Sequence, residues 1–221
     1  MTKNDRPAFG FEVLQQDGAA RRGRVTSGFG VVDTPAFMPV GTAASVKAMM
    51  PEQVASTGAQ IILSNTYHLM LRPGPERVER LGGVRKLMGW DGPLLTDSGG
   101  FQVMSLGPLR NISEQGVSFK SHLDGSIFDL TPERSTQIQH MLDATITMAF
   151  DECTPFPATY DEARASMELS MRWAARSRSA YVARTGYGQF GIVQGSVFED
   201  LRHLSINCLL YTSDAADMEL V

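Results

Sequence analysis

Three polar positions in this 221-residue chain stand where chemistry is often assembled. Asp97, Asp151 and Gln194 each follow a short apolar run: Leu94-Leu95-Thr96, the stretch Ile146–Phe150, and the stretch Phe190–Val193. Asp97 is followed by Ser98-Gly99-Gly100. A carboxylate thus leaves a buried strand into a tight turn whose glycines expose backbone N–H groups. In isolation the string is equally compatible with a plain turn capped by its aspartate. Likewise, Asp151 could merely cap its loop, and Gln194 could be a satisfied buried polar residue.

The elements that must position these residues alternate. Phe11–Leu14 and Val31–Ala36 flank Gly-rich turns and predict a small N-terminal antiparallel sheet. Arg21, Arg22 and Arg24 form the one dense basic cluster and fall in the expected turn, where they read as a solvated hairpin. Phe37–Val40 reads as a strand, followed by a helix opening at Pro51 and stopping at Gly58. Ile61-Ile62-Leu63 is a buried-strand run, Glu76–Met88 a broken helical stretch, and Leu94-Leu95-Thr96 the next strand. Gly116–Leu130 carries the turn signal Asp124-Gly125 and predicts an inserted hairpin. Thr131-Pro132-Glu133 starts a helix with Ile138, Met141 and Leu142 on one face. A long helix covers Asp161–Tyr181, with Met167, Met171 and Ala174 at helical spacing, and Ser196 with Glu199 has the pattern of a capping box.

Short apolar strands alternating with helices predict an α/β fold with a parallel sheet and crossover helices. All three polar positions lie just after a strand, the edge where both (β/α)8 barrels and open doubly wound sheets place their chemistry. About five strand–helix units are counted, where a closed barrel needs about eight.

Composition bounds the function. The chain is 43% hydrophobic and 20% charged, enough apolar material for a sizeable core. No apolar run approaches the ~20 residues that span a bilayer. The N-terminal residues lack a secretion signal, and the two cysteines, Cys153 and Cys208, form no pairing framework, so a reduced cytoplasmic setting is expected. The net charge of -4 does not announce a nucleic-acid binder, so any RNA reading must come from the site. Asp-Ser-Gly-Gly also surrounds the nucleophile of trypsin-like proteases, but that fold is all-β and needs a distant His and Asp. His68, His122, His140 and His203 lie in no such context, and no Gly-Lys-Ser/Thr follows to make a phosphate loop.

Several longer strings decide between these readings. Ser64-Asn65-Thr66-Tyr67-His68-Leu69, Leu71-Arg72-Pro73-Gly74, Thr96-Asp97-Ser98-Gly99-Gly100-Phe101-Gln102, Phe150-Asp151-Glu152-Cys153 and Gly191-Ile192-Val193-Gln194-Gly195-Ser196 occur in one order. With these strings the chain resembles the bacterial-type tRNA-guanine transglycosylases, from about Phe11 to about Arg202. The resemblance implies a (β/α)8 TIM barrel, here its first five or so units, with the N-terminal sheet and the hairpin as additions. It implies exchange of guanine at the tRNA wobble position for a 7-deazaguanine base, on the route to queuosine. The partners so implied are the tRNA anticodon loop, the deazaguanine base and, at full length, a second copy in a homodimer.

Residue by residue, the resemblance makes Asp97 the general acid/base. Asp151 would accept from the guanine edge, Gln194 would donate to its O6, Ser98 would line the pocket and Phe101 would stack on the base. Asn65 would support by hydrogen bonding. Cys153 by itself reads as a small buried apolar group; in the family bacterial enzymes tend to carry Cys there and eukaryotic ones Val. Tyr67 and His68 read as structural. The family's covalent nucleophile and its Zn2+ ligands, a Cys-x-Cys-x-x-Cys set plus a His, have no counterpart in this chain, so no metal site and no activity of this stretch alone are expected. From Cys208 the string Cys-Leu-Leu-Tyr-Thr-Ser-Asp-Ala-Ala-Asp breaks the pattern of Val197, Leu201 and Leu204 and resembles translated adapter sequence. Residues 1–207 are therefore expected to be one part of a catalytic domain and 208–221 a non-native tail. A non-catalytic tRNA-binding relative is the alternative, disfavoured because a binding subunit has no need of Asp97; Cys153 and the wobble-type strings disfavour an archaeal-type relative.

Overall fold

A computed structural model describes residues 6–106 and 110–210. The strands are β1 (Gly10–Asp17), β2 (Ala20–Ser27), β3 (Gly30–Thr34), β4 (Ile62–Ser64), β5 (Leu94–Thr96), β6 (Arg110–Ser113), β7 (Gly116–Lys120), β8 (Ile127–Leu130), β9 (Ile146–Met148) and β10 (Gly188–Phe190). The helices are α1 (Pro51–Ser56), α2 (Thr66–Leu71), α3 (Pro75–Arg80), α4 (Val84–Met88), α5 (Gly100–Met104), α6 (Pro132–Met141), α7 (Tyr160–Ala180) and α8 (Glu199–Leu210). Strands β1-β2-β3 and β6-β7-β8 form two antiparallel sheets, and β10-β9-β5-β4 a third. In that third sheet β4 pairs in parallel with β5, and β5 with β9. The protein is thus a mixed α/β fold with a parallel sheet and a small antiparallel N-terminal sheet.

The described residues divide into two compact units: 6–97, 139–147 and 182–188 in the first, and 98–106, 110–138, 148–181 and 189–210 in the second. The first holds the N-terminal sheet, β4 and β5. In β4 and β5, Ile62 and Leu94 are fully buried, as a parallel strand covered on both sides requires, and Ser64 and Thr96 end the two strands as buried hydroxyls. At the foot of this unit Asp143 is held by Arg85, by Arg184 Nη1 at 3.1 Å and by the Tyr187 hydroxyl at 2.8 Å. The second unit packs α7 against α8 over Ala163, Met167, Met171, Ala174, Leu201 and Leu209. Trp173 stacks on Phe150 at 4.9 Å and donates its indole N–H to the Glu114 carbonyl at 2.9 Å.

Several expectations need correction. Arg21, Arg22 and Arg24 lie in strand β2, not in a turn; Arg24 faces Asp33 of β3 and bonds it at 2.8 Å. The strand expected at Phe37–Val40 shrinks to one parallel bridge between Val40 and Leu63, because Phe37 is 82% exposed and has no core to enter. The insertion is a three-stranded sheet, β6 being too short and polar to register as a strand. Strand β10 ends where Phe190–Val193 was expected to begin, Gly191–Val193 carrying no strand pairing. Ser196 does not cap α8: it has a left-handed φ of 52° after Gly195 at 110°, and the helix begins at Glu199. The capping box lies instead at Thr159 and Glu162, before α7. Helix α8 does not break at Cys208 but runs to Leu210, because Leu201, Ser205 and Leu209 recur every fourth residue on its buried face. Residues 211–221 of the expected tail lie outside the described residues.

Candidate functional site

Asp97 belongs to the first unit and leaves β5 half-buried. The Asn65 amide donates to its Oδ2, and the Thr66 backbone N–H donates to its Oδ1 at 2.9 Å. The Thr66 hydroxyl donates to the Asp97 carbonyl. Asn65 and Thr66 follow β4 as Asp97 follows β5, and the two strands pair Ser64 with Thr96, so register alone brings them together. Both carboxylate contacts are donors aimed at an anion, and they fix the side chain's direction. Thr66 was not singled out in the sequence. Its signal was there, a hydroxyl one residue beyond an asparagine at a strand end. Tyr67 is 2% exposed and packs edge-on against His68, and burial raises its phenol above its ordinary range.

The second unit holds Ser98, Asp151, Cys153 and Gln194 in one cluster. Asp151 is 8% exposed at the end of the segment that follows β9. The Ser98 hydroxyl donates to its Oδ1 at 3.0 Å, and Gln194 Nε2 donates to its Oδ2 at 2.9 Å. A carboxylate this deeply buried needs such donors, since an unpaired one would shed its charge. Cys153 Sγ stands 3.9 Å from the same Oδ2. Burial first, then the neighbouring Asp151 charge, pushes its thiol up to about 12. Cys153 is therefore a neutral, half-buried wall of the cluster.

Backbone turns fix Ser98. Gly99 caps α5 with a left-handed φ of 88°, which a side chain would resist. Gly100 follows with no room for one: a Cβ there would meet the Asp151 carbonyl oxygen at 2.5 Å. The Gly100 N–H donates to Ser98 Oγ at 3.2 Å, and Ser135 Oγ on α6 donates to the Ser98 carbonyl at 2.7 Å. Phe101, next on α5, turns 68% of its surface outward, available to a flat partner. The two glycines are thus spacing devices that let α5 abut the Asp151 segment, a role the sequence signalled only as a turn.

A class follows from these features: an α/β protein whose strand ends carry one restrained carboxylate and, separately, a buried carboxylate–amide pair suited to a hydrogen-bonding planar ligand. The sequence model of queuine tRNA-ribosyltransferase matches residues 16–217. Curated relatives named queuine tRNA-ribosyltransferase are similar to it: that of Rickettsia felis is 62% identical over 202 residues, and those of Rickettsia bellii and Rickettsia akari 61%. These alignments cover 91% of this chain and 56% of each relative. The chain belongs to the queuine tRNA-ribosyltransferase family, and it spans about half the length of the curated relatives it matches.

The zinc implied by resemblance does not fit the residues at hand. Among the described residues no three His, Cys, Asp or Glu side chains converge as a zinc site requires. No described helix is long and apolar enough to cross a membrane.

Proposed function

We propose that this chain is part of a transglycosylase that replaces guanine at the wobble position of tRNA with a 7-deazaguanine base, on a (β/α)8 scaffold of which the described strand–helix units form a part. The observation that carries the reading is the buried Asp151 carboxylate held between Ser98 and Gln194. Guanine presents N1–H and an exocyclic amine side by side, and one carboxylate accepts from both. Its O6, next along the same edge, needs a donor. The Gln194 amide has two N–H bonds and uses one on Asp151, so the other serves O6. Phe101 supplies an aromatic face for stacking.

The exchange breaks one C1′–N9 bond and forms another. The departing guanine gains at N9 the proton that the incoming base gives up, so a single acid/base group serves both halves. Asp97 takes that role, oriented by Asn65 and Thr66. The base must leave its stack to be reached, which an anticodon loop permits at little cost. Incorporation of labelled guanine into tRNA, by protein extended to the relatives' length, tests the reading. Exchange should be present in the native sequence and fall at least about 100-fold in Asp97→Asn. Unchanged exchange in Asp97→Asn would remove Asp97 from the mechanism.

A further inference from the structure

The cluster around Asp151 rests on hydroxyls that the chemistry itself does not use. Helix α7 presents Ser170 and Ser177 from one face, 1% and 0% exposed. The Phe150 N–H donates to Ser177 Oγ at 3.0 Å, and the Glu152 N–H donates to Ser170 Oγ at 2.9 Å. The residues on either side of Asp151 are therefore both tied to the same helix. Helix α8 does the same for the other partner: the Gln194 N–H donates to Ser205 Oγ at 2.9 Å, with Ser205 fully buried. The Ser205 hydroxyl proton points to Met171 Sδ at 3.5 Å, which leaves an oxygen lone pair for Gln194. None of these segments is a regular strand where it is held, since β9 ends at Met148 and β10 at Phe190. Their backbone N–H groups lack ladder partners there, and buried N–H groups must find acceptors.

We propose that Ser170, Ser177 and Ser205 are positioning residues that set the distance between Asp151 and Gln194, and thereby the selectivity of the pair for a guanine edge. This rests on the base-recognition reading above. An alanine at any of these sites would unfold little of the helix, since alanine favours helix. It would release the strand-end loop by the angle that one hydrogen bond restrains. A displaced Gln194 or Asp151 misaligns with N1–H, the 2-amino group and O6 together, whereas a base lacking the 2-amino group has less to lose.

The test is a titration of the 221-residue chain with 7-deazaguanine and with 7-deazahypoxanthine, which lacks the 2-amino group, followed by NMR. The native chain should prefer 7-deazaguanine. Ser205→Ala and Ser170→Ala should each lower that preference about fivefold, the effect of one neutral hydrogen bond. Ser205→Thr, which keeps the hydroxyl, should restore it. Because the readout is a ratio, a loss of folded protein in one variant cancels. An unchanged ratio in both alanine variants would overturn the proposal and leave the pocket reading intact. Binding of neither base by the native chain would instead sink the pocket reading, and this proposal with it.

Discussion

Replacing Gly100 with alanine sets two effects of opposite sign against each other. Gly100 opens helix α5, and alanine is favoured over glycine in a helix by up to about 1 kcal/mol. The added Cβ would stand 2.5 Å from the Asp151 carbonyl oxygen, 3.2 Å from Asp151 Oδ1 and 3.3 Å from Ser98 Oγ. Real Cβ atoms essentially never approach nearer than 3.0 Å, so the backbone of Asp151 must recede by about 0.5 Å. That backbone cannot swing away as a long side chain could, because Ser177 and Ser170 hold it on both sides. Overpacking of this kind costs roughly 1–3 kcal/mol. The net prediction is a loss of about 1–2 kcal/mol, or about 2–8 °C in thermal midpoint for a chain of this length. On the proposed function, affinity for 7-deazaguanine should fall about tenfold, because the displaced group is the proposed recognition carboxylate. Urea unfolding with a parallel base titration measures both. A Gly100→Ala chain as stable as the native one would show that the close approach of α5 to Asp151 is not a constraint.

Three further outcomes follow from the same geometry. Burial, and secondarily Arg184, lowers His140 from 6.5 to about 4, so the folded chain keeps it neutral where the unfolded chain protonates it. Its contribution is complete above about pH 6.5 and is lost as pH falls toward 4, by at most about 3 kcal/mol; His140→Gln should flatten that part of the stability–pH curve. Glu133 is held down to about 2 by the Arg176 guanidinium, a contribution complete above about pH 4.5 and lost as pH falls through about 2. With the Glu133 side chain 43% exposed, solvent screening limits it to about 1 kcal/mol or less, which denaturation of Arg176→Ala at pH 7 and pH 2 compares directly. Cys208 is exposed and Cys153 is half-buried with its thiol pushed up, so a thiol reagent at pH 8 should label Cys208 first and Cys153 much more slowly until the chain unfolds.

Much of the fold could be read from periodicity. The strand Leu94-Leu95-Thr96, the inserted turn at Asp124-Gly125 and the long α7 helix came from apolar spacing and turn residues, which are local signals. What escaped were features decided by neighbours. Phe37–Val40 is apolar enough for a strand, yet only Val40 pairs. Helices α2 and α5, of six and five residues, are too short to show a period. Ser196 and Glu199 matched a capping box, but a left-handed Ser196 cannot cap. Within the site, Ser98, Asp151, Cys153 and Gln194 do lie together, and Asn65 does bond Asp97. The supporting residues Ser135, Ser170, Ser177 and Ser205 were illegible because a serine on a helix face usually meets water. Only the third dimension shows each hydroxyl bonded to the backbone of Ser98, of Gln194 or of the residues that flank Asp151.

On the proposed function Asp151, braced by Ser98 and Gln194, reads the guanine edge. That reading is tested most directly by the affinity of the chain for 7-deazaguanine before and after Asp151→Asn. The substitution keeps the shape but replaces one acceptor oxygen with a donor and removes the charge, so two charge-assisted hydrogen bonds of about 1.5–3 kcal/mol each are at stake. Affinity should fall by at least about 100-fold. Equal affinity of the two chains would contradict that reading.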